Sequence, residues 1–172
     1  MISKITPATG GNSIDDDGNG FIDDVNGWDA ADIDNDPNPV AAASSSYHSH
    51  GTHCAGIVSA KTDNSIGIAS TGFNLKIMAV KIGKELTLPY PPFSKYIGLR
   101  NAYQGVDYAI KNKANVISMS WGRGGIPSAT EQLIFDVAYS RDIVCVAAAG
   151  NSNTSASTEG TSPFLLSTDK IE

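Results

Sequence analysis

From Leu75 onward the hydrophobic positions change period in a regular way. Leu75-Lys76-Ile77-Met78-Ala79-Val80-Lys81-Ile82 alternates like a strand, whereas Leu99, Ala102, Tyr103, Val106, Ala109 and Ile110 fall on one helical stripe. Val116-Ile117-Ser118-Met119-Ser120 predicts a short buried strand. Ser128-Ala129-Thr130-Glu131 has the form of a capping box, and Leu133, Ile134, Val137 and Ala138 continue that helix. Ile143 to Ala149 predicts another buried strand. Upstream, His50 to Ala60 is a helix so rich in Gly and Ala that it suits close packing and burial on every side. Strands alternating with helices predict an α/β fold of three layers, a mostly parallel sheet with helices on both faces. Ligands in such sheets bind beyond the carboxyl ends of strands. Gly122 and Gly150-Asn151 lie just past two predicted strand ends, so a site is expected there.

Composition sharpens this picture in one segment. Of the 18 acidic residues in the 172-residue chain, nine lie between Asp15 and Asp36, and no Lys or Arg occurs from Ile5 to Ala60. Asp, Asn, Gly and Pro disfavour element interiors, so this stretch is expected to be loop. The formal net charge of −6 argues against nucleic acid and anionic membrane as partners, because phosphates repel it. No run of about 18 apolar residues is present, so no transmembrane helix is expected. The first residues lack the apolar stretch of a signal peptide. Cys54 and Cys145 do not form a disulfide framework and are expected to be free, buried thiols.

The three histidines, His48, His50 and His53, are spaced H-x-H-x-x-H. Zinc is one reading, since neutral imidazoles are good ligands. Thr52 stands where a metallo-β-lactamase-like motif needs an aspartate, and no histidine follows downstream to complete a site. The better reading makes His50 a general base at the start of a rigid helix, with His48 a surface or capping residue. Ser49-His50-Gly51-Thr52-His53-Cys54-Ala55-Gly56 and Ala147-Ala148-Ala149-Gly150-Asn151 resemble, in that order, two of the functional motifs of the subtilisin-like serine proteases (subtilases, peptidase S8). The resemblance implies that His50 is the base, His53 is structural, and Asn151 donates to the oxyanion. A turn residue after a strand is the plainer role for Gly-Asn. Ser118-Met119-Ser120-Trp121-Gly122 resembles the stretch whose backbone pairs with extended substrate. By resemblance Ser118, Ser120, Trp121 and Gly122, with Ala149 and Gly150, are substrate-binding. The family's small Gly-Ser-Gly substrate edge is not evident upstream, where Pro89-Tyr90-Pro91-Pro92-Phe93-Ser94 stands, leaving the outer subsites and substrate preference open.

Asp15-Asp16-Asp17-Gly18-Asn19-Gly20-Phe21-Ile22-Asp23 fits the first nine positions of an EF-hand loop. Asp15, Asp17, Asn19 and Asp23, with the Phe21 carbonyl, are the expected calcium ligands. Asn26 stands where the bidentate Glu belongs, so the segment is a calcium loop without a full EF-hand; a merely solvated acidic loop is the alternative. Asn64-Ser65-Ile66-Gly67-Ile68-Ala69 resembles a second loop that binds structural calcium in subtilisins, which makes Asn64 a ligand if it is more than a turn.

The triad order in subtilisin is Asp, His, Ser, with about 157 residues between the last two. Only 122 follow His50. Ser162 in Gly160-Thr161-Ser162-Pro163 imitates the serine motif but comes 11 residues after Asn151, with no intervening strands. No apolar strand precedes Asp15 to bear the triad aspartate. The expectation is therefore a partial catalytic domain, truncated at both ends, with the aspartate strand before Met1 and the serine helix after Glu172. Residues 1–47 form its acidic calcium-type region, 48–151 the α/β core with the His and oxyanion motifs, and 152–172 a poorly matching tail. The parent enzyme is expected to hydrolyse polypeptide substrates and, by family habit, to be secreted; this chain alone is expected to be inactive. A non-catalytic, calcium-stabilised binding or pseudoprotease module is the alternative, and a catalytic module completed by another chain is a third; besides polypeptide substrate, the partner expected is the missing segments of the same domain.

Overall fold

The computed structural model describes residues 11–39, 49–122, 129–148 and 151. Among them the elements run β1 (Gly27–Asp29), α1 (His50–Ser59), β2 (Ala79–Lys81), β3 (Gly83–Thr87), β4 (Lys95–Leu99), α2 (Ala102–Lys111), β5 (Val116–Met119), α3 (Ala129–Ser140) and β6 (Val144–Ala147). The strands pair in twos: β1 with β2 and β5 with β6 in parallel, and β3 with β4 as an antiparallel hairpin. Both parallel pairs join strands separated by helix-bearing segments, as an α/β fold requires.

Most predicted elements are present with shifted bounds. The strand expected over 75–82 is regular only at Ala79–Lys81, and the helix expected from Leu99 begins at Ala102 because Leu99 is used to pair with Gly83. Three strands were not expected. β1 lies inside the acidic segment, where Trp28 and the buried Asp29 pair with Val80 and Lys81. The hairpin occupies the stretch around Pro89–Ser94. Of the expected capping box, Ser128 lies outside the described residues.

Helix α2 organises the core. Gly105 lets it sit on β2 and its flank, since an added Cβ would meet Val80 Cγ1 at 2.9 Å and Ile82 Cγ2 at 3.1 Å. Val106, Tyr108, Ala109 and Ile110 are buried with Met78, Ile117, Met119, Phe135 and Ala138. Tyr108, 1% exposed, reaches back to the acidic segment: its hydroxyl donates to Asp24 Oδ2 at 2.8 Å, and Phe21 stands edge-on to its ring at 4.7 Å. Gly27, at φ +118°, is required where β1 meets β2; a Cβ there would fall 1.9 Å from the Ala79 carbonyl oxygen.

The two faces of the β5–β6 pair differ sharply. Ile117 and Met119 point to the helices and are buried, while Ser118, Ser120, Val144 and Val146 alternate onto an exposed face. Val144 is 57% and Val146 50% exposed. Helix α1 has no buried residue, contrary to the burial expected from its composition. Its small side chains suit close packing, but no described element closes over it. The two cysteines are free, as expected, but half-buried rather than buried. Cys145 still meets enough apolar surroundings for burial to raise its thiol pKa.

Asp29 is 1% exposed and pairs with the Lys81 ammonium, while its Oδ1 accepts the Ala31 and Asp32 amides at 2.8 and 3.0 Å. Burial acts against the Lys81 charge, yet bonding to Asp29 and Asp32 outweighs it and raises its pKa. Removing one partner of a buried pair strands the other charge. Lys81→Met is expected to destabilise the chain by about 3 to 5 kcal/mol in urea titration, and Asp29→Asn added to it to recover part of the loss. Equal stability of Lys81→Met and the parent chain would refute the account.

Burial, then the Asp24 bond, raise the Tyr108 phenol above its ordinary value of 10.0. Below that value both folded and unfolded chains hold the proton and the stabilisation is complete. Above it the unfolded chain releases the proton first, so stability is lost as pH rises toward the folded value. The urea midpoint is expected to fall between about pH 9 and 11, with part of that slope absent in Tyr108→Phe. At neutral pH that variant should lose about 1 kcal/mol, because the buried Asp24 carboxylate loses one of its two side-chain donors and keeps the Asn19 amide. An unchanged slope in Tyr108→Phe would show that the phenol does not titrate this way.

Candidate active site

His50 opens α1, and Cys54 lies one turn further on the same helical face. The Cys54 thiol meets Ser120 Oγ at 3.7 Å, which sets that face of α1 at the carboxyl end of β5. The chain after α1 is tied back to it, with the Thr71 amide donating to the Ile57 carbonyl at 2.9 Å and Ser59 Oγ to the Leu75 carbonyl at 3.1 Å. His50 and His53 are both exposed.

The second side of the site follows from parallel pairing. Strands β5 and β6 run together, and the Ala148 amide donates to the Met119 carbonyl at 3.0 Å, extending the ladder beyond the strand ends. Both chains therefore leave at the same edge, where Ser120-Trp121-Gly122 follows one strand and Asn151 the other. Ser118, Ser120, Gly122 and Asn151 are exposed. Trp121 is half-buried and packs edge-on against Tyr103 at 5.7 Å, with Tyr103 in turn edge-on to Phe135 at 6.2 Å. Ala149 and Gly150, together with His48 and Ser162, lie outside the described residues. The expected base helix, the substrate strand and the strand leading to the oxyanion asparagine are thus at one sheet edge. Such an arrangement can place a base, a backbone edge and an amide donor around an extended chain.

The acidic segment is ordered by its own carboxylates. Asp15 accepts the amides of Gly18, Asn19 and Gly20 at 2.9, 3.1 and 2.8 Å, and Asp17 accepts the Asn19 amide at 3.2 Å. Asn19 Oδ1 accepts the Phe21 amide at 2.7 Å, and its Nδ2 donates to Asp24 and Asn112, both at 2.9 Å. Asp23 faces elsewhere, toward the amides of Gly11, Asn12 and Ser13 at 2.8, 3.0 and 2.9 Å. Among the described residues no group of three or more His, Cys, Asp or Glu side chains is placed to hold a metal. Residues 15–20 fold as a tight acidic turn, but the expected ligand set does not converge, because Asp23 is spent on the preceding backbone.

Asn64 heads the second candidate loop, where its Oδ1 accepts the Ile66 amide at 3.0 Å. Residues 61–69 line an open cavity of about 200 Å³. Sequence reasoning passed over Asp29. The signal was its setting, a lone acid between Trp28 and the apolar Ala30-Ala31 in an otherwise polar run. Asp32 beside it is exposed and its pKa is lowered, chiefly by its bond to Lys84.

Comparison of the sequence with known proteins identifies its family. The family model described as the Subtilase family matches residues 8–168. Thermitase of Thermoactinomyces vulgaris is 37% identical over 132 residues, covering 77% of this chain and 42% of that protein. An extracellular protease of Xanthomonas campestris pv. campestris is 38% identical over 122 residues, 69% of this chain and 20% of its own length. Subtilisin E of Bacillus subtilis is 38% identical over 110 residues, 64% of this chain and 26% of its own length. No solved structure matches significantly. The chain therefore spans less than half the length of these relatives, and the family match over most of its residues shows that it belongs to the subtilase family of serine proteases.

Proposed function

We propose that this chain is the central part of a serine endopeptidase domain that cleaves polypeptides by acyl transfer. The observation that carries the proposal is the contact of α1 with Ser120, just past β5, at the edge where the parallel strand β6 also ends. In this reading His50 takes the proton of a serine hydroxyl as it attacks the scissile carbonyl and returns it to the leaving amine. Asn151 donates its side-chain amide to the oxyanion of the tetrahedral intermediate. Ser118, Ser120, Trp121 and Gly122, with Ala149 and Gly150, hold the substrate backbone in extended form. The nucleophile and the aspartate that orients His50 come from further polypeptide of the same domain, which would also cover Val144, Val146 and α1. Export is supported by one relative, which is an extracellular protease. Among the described residues no helix is long and apolar enough to cross a membrane.

The chain alone is expected to hydrolyse nothing and to resist fluorophosphonate labelling; labelling that vanishes in Ser162→Ala would refute this. Joined to polypeptide carrying the missing motifs, it should cleave casein. In that complete domain His50→Ala should then lose about 10⁴-fold or more in kcat, and Asn151→Ala about 10² to 10³-fold. A complete domain indifferent to His50→Ala would sink the proposal. Peptide binding without hydrolysis in that domain would favour the non-catalytic module instead.

Structural calcium is the second part of the proposal. Asp15, Asp17, Asn19, the Phe21 carbonyl and Asp23 would hold one ion once Asp23 turns from the amides of residues 11–13, and Asn64 with its neighbouring carbonyls would hold another. The cation would offset the repulsion among clustered carboxylates. Calcium at about 100 times its Kd should stabilise the fold by about 2.7 kcal/mol per site. The rise in Tm over EDTA should shrink in Asp15→Asn/Asp17→Asn. Identical Tm values with calcium and EDTA would dismiss the calcium role.

A further inference from the structure

The acidic segment contains two Asn-Gly pairs, Asn19-Gly20 and Asn26-Gly27. Such a pair carries its own chemistry. The amide nitrogen of the second residue can attack the asparagine side chain, and a glycine has no Cβ to obstruct the approach. The fold treats the two pairs very differently.

Asn19 is held at both of its side-chain polar atoms. Its Oδ1 accepts the Phe21 amide at 2.7 Å, and its Nδ2 donates to Asp24 Oδ2 and Asn112 Oδ1, both at 2.9 Å. The Gly20 amide, which would be the nucleophile, donates to Asp15 Oδ2 at 2.8 Å. Attack at Asn19 therefore requires these bonds to open together, including the one that ties the turn to the end of α2. Asn26 is exposed, and its side chain bonds to no described residue. Its Gly27 amide is held by one bond, to the Asp24 carbonyl at 3.0 Å, which closes the turn over residues 24–27. Local opening breaks one bond far more often than four at once.

We propose that Asn26 is a site of self-modification by deamidation, and that the fold protects Asn19 from the same reaction. Base removes the Gly27 amide proton, and the nitrogen attacks Asn26 Cγ. The new C–N bond closes a succinimide ring, and the side-chain nitrogen leaves as ammonia. Water then adds to one of the two ring carbonyls and breaks its bond to the Gly27 nitrogen. Opening at Cγ gives aspartate on an ordinary main chain. Opening at the main-chain carbonyl gives isoaspartate, whose main chain runs through Cβ and Cγ and is longer by one methylene. The inference is independent of the endopeptidase reading.

Residue 26 lies where added length has nowhere to go. On one side Asp24 is fixed by the Tyr108 hydroxyl. On the other, Gly27 is pressed against the Ala79 carbonyl in the β1–β2 pair, and Asp29 is fixed by Lys81. An extra methylene between these points must break the turn bond or displace β1. The reaction thus acts as a clock on the attachment of the acidic segment to the core.

The test is ageing of the full 172-residue chain at mildly alkaline pH, with and without urea. Chymotryptic cleavage after Phe21 puts the two sites on separate peptides, and mass spectrometry reads conversion at each. In urea the two sites should react at similar rates. In the folded chain Asn26 should react about tenfold or more faster than Asn19. Equal rates in the folded chain, faster reaction at Asn19, or no reaction at Asn26 while the unfolded chain converts would overturn the proposal. Asn26→Gln, whose longer side chain must close a larger and slower ring, should abolish conversion at that position and leave Asn19 unchanged. The isoaspartyl chain, recognised by methylation with protein isoaspartyl methyltransferase, should show a ratio of folded to unfolded chain about fivefold to thirtyfold lower in urea titration. Isoaspartyl and fresh chains of equal stability would overturn the clock. An equal loss of stability in aged Asn26→Gln would assign the ageing to another residue and would overturn it as well.

Discussion

The packing of α2 is the constraint on which the rest of the structure depends. One side of the helix can approach β2 because position 105 has no side chain. The next turn carries Tyr108, which is buried between the acidic segment and the core. Through that phenol the acidic segment, otherwise a polar loop with little reason to adhere, is fastened to the hydrophobic interior. Phe21 and Trp28 close around the same ring, with Phe21 4.9 Å from Trp28 and Lys111 5.6 Å above the Phe21 ring. Asn19 adds polar bonds to Asp24 and Asn112. These contacts are short in sequence range at one end and long at the other, since Tyr108 and Asp24 are 84 residues apart. Ordering the acidic turn is therefore coupled to folding of the helix, and electrostatic repulsion within the turn acts directly on core stability.

The helical stripe Tyr103, Val106, Ala109 and Ile110 was legible because α2 is amphipathic and one of its faces packs on the core. β5 and β6 were legible for the same reason on one face only. The period of the sequence did not reveal β1, because three residues, Gly27-Trp28-Asp29, are too few to show alternation, and Asp29 looked like one more acid in an acidic run. Its burial depends on Lys81, 52 residues away, a pairing no local pattern can carry. The hairpin escaped notice for a different reason. Lys84-Glu85 and the prolines suggest a loop, and the strands are held by each other rather than by burial.

The site was legible to the extent that it is written in short motifs. Ser120 and the approach to Asn151 fall at one edge because parallel strands deliver their carboxyl ends together, which follows from fold class; α1, with His50, is set beside that edge by the contact of Cys54 with Ser120. The calcium-type loop was legible as a turn but not as a ligand set. Asx-type bonding of Asp15 to three amides is local and follows from the Asp-x-x-Gly-Asn-Gly pattern. The orientation of Asp23 depends on amides at residues 11–13, which the spacing of the motif does not encode.

The exposed face of β5–β6 links these points to catalysis. A parallel pair is ordinarily covered on both faces, and here Val144 and Val146 are exposed and no residue of α1 is buried. A general base on such a helix is solvated, and donors at such an edge are surrounded by water. Electrostatic stabilisation of an oxyanion is strong only where water is excluded. Covering the face would bury the flank of α1, fix the direction of His50 and lower the dielectric around Asn151 in one step. In the proposed enzyme the polypeptide that supplies the nucleophile is also what makes the groups already present effective.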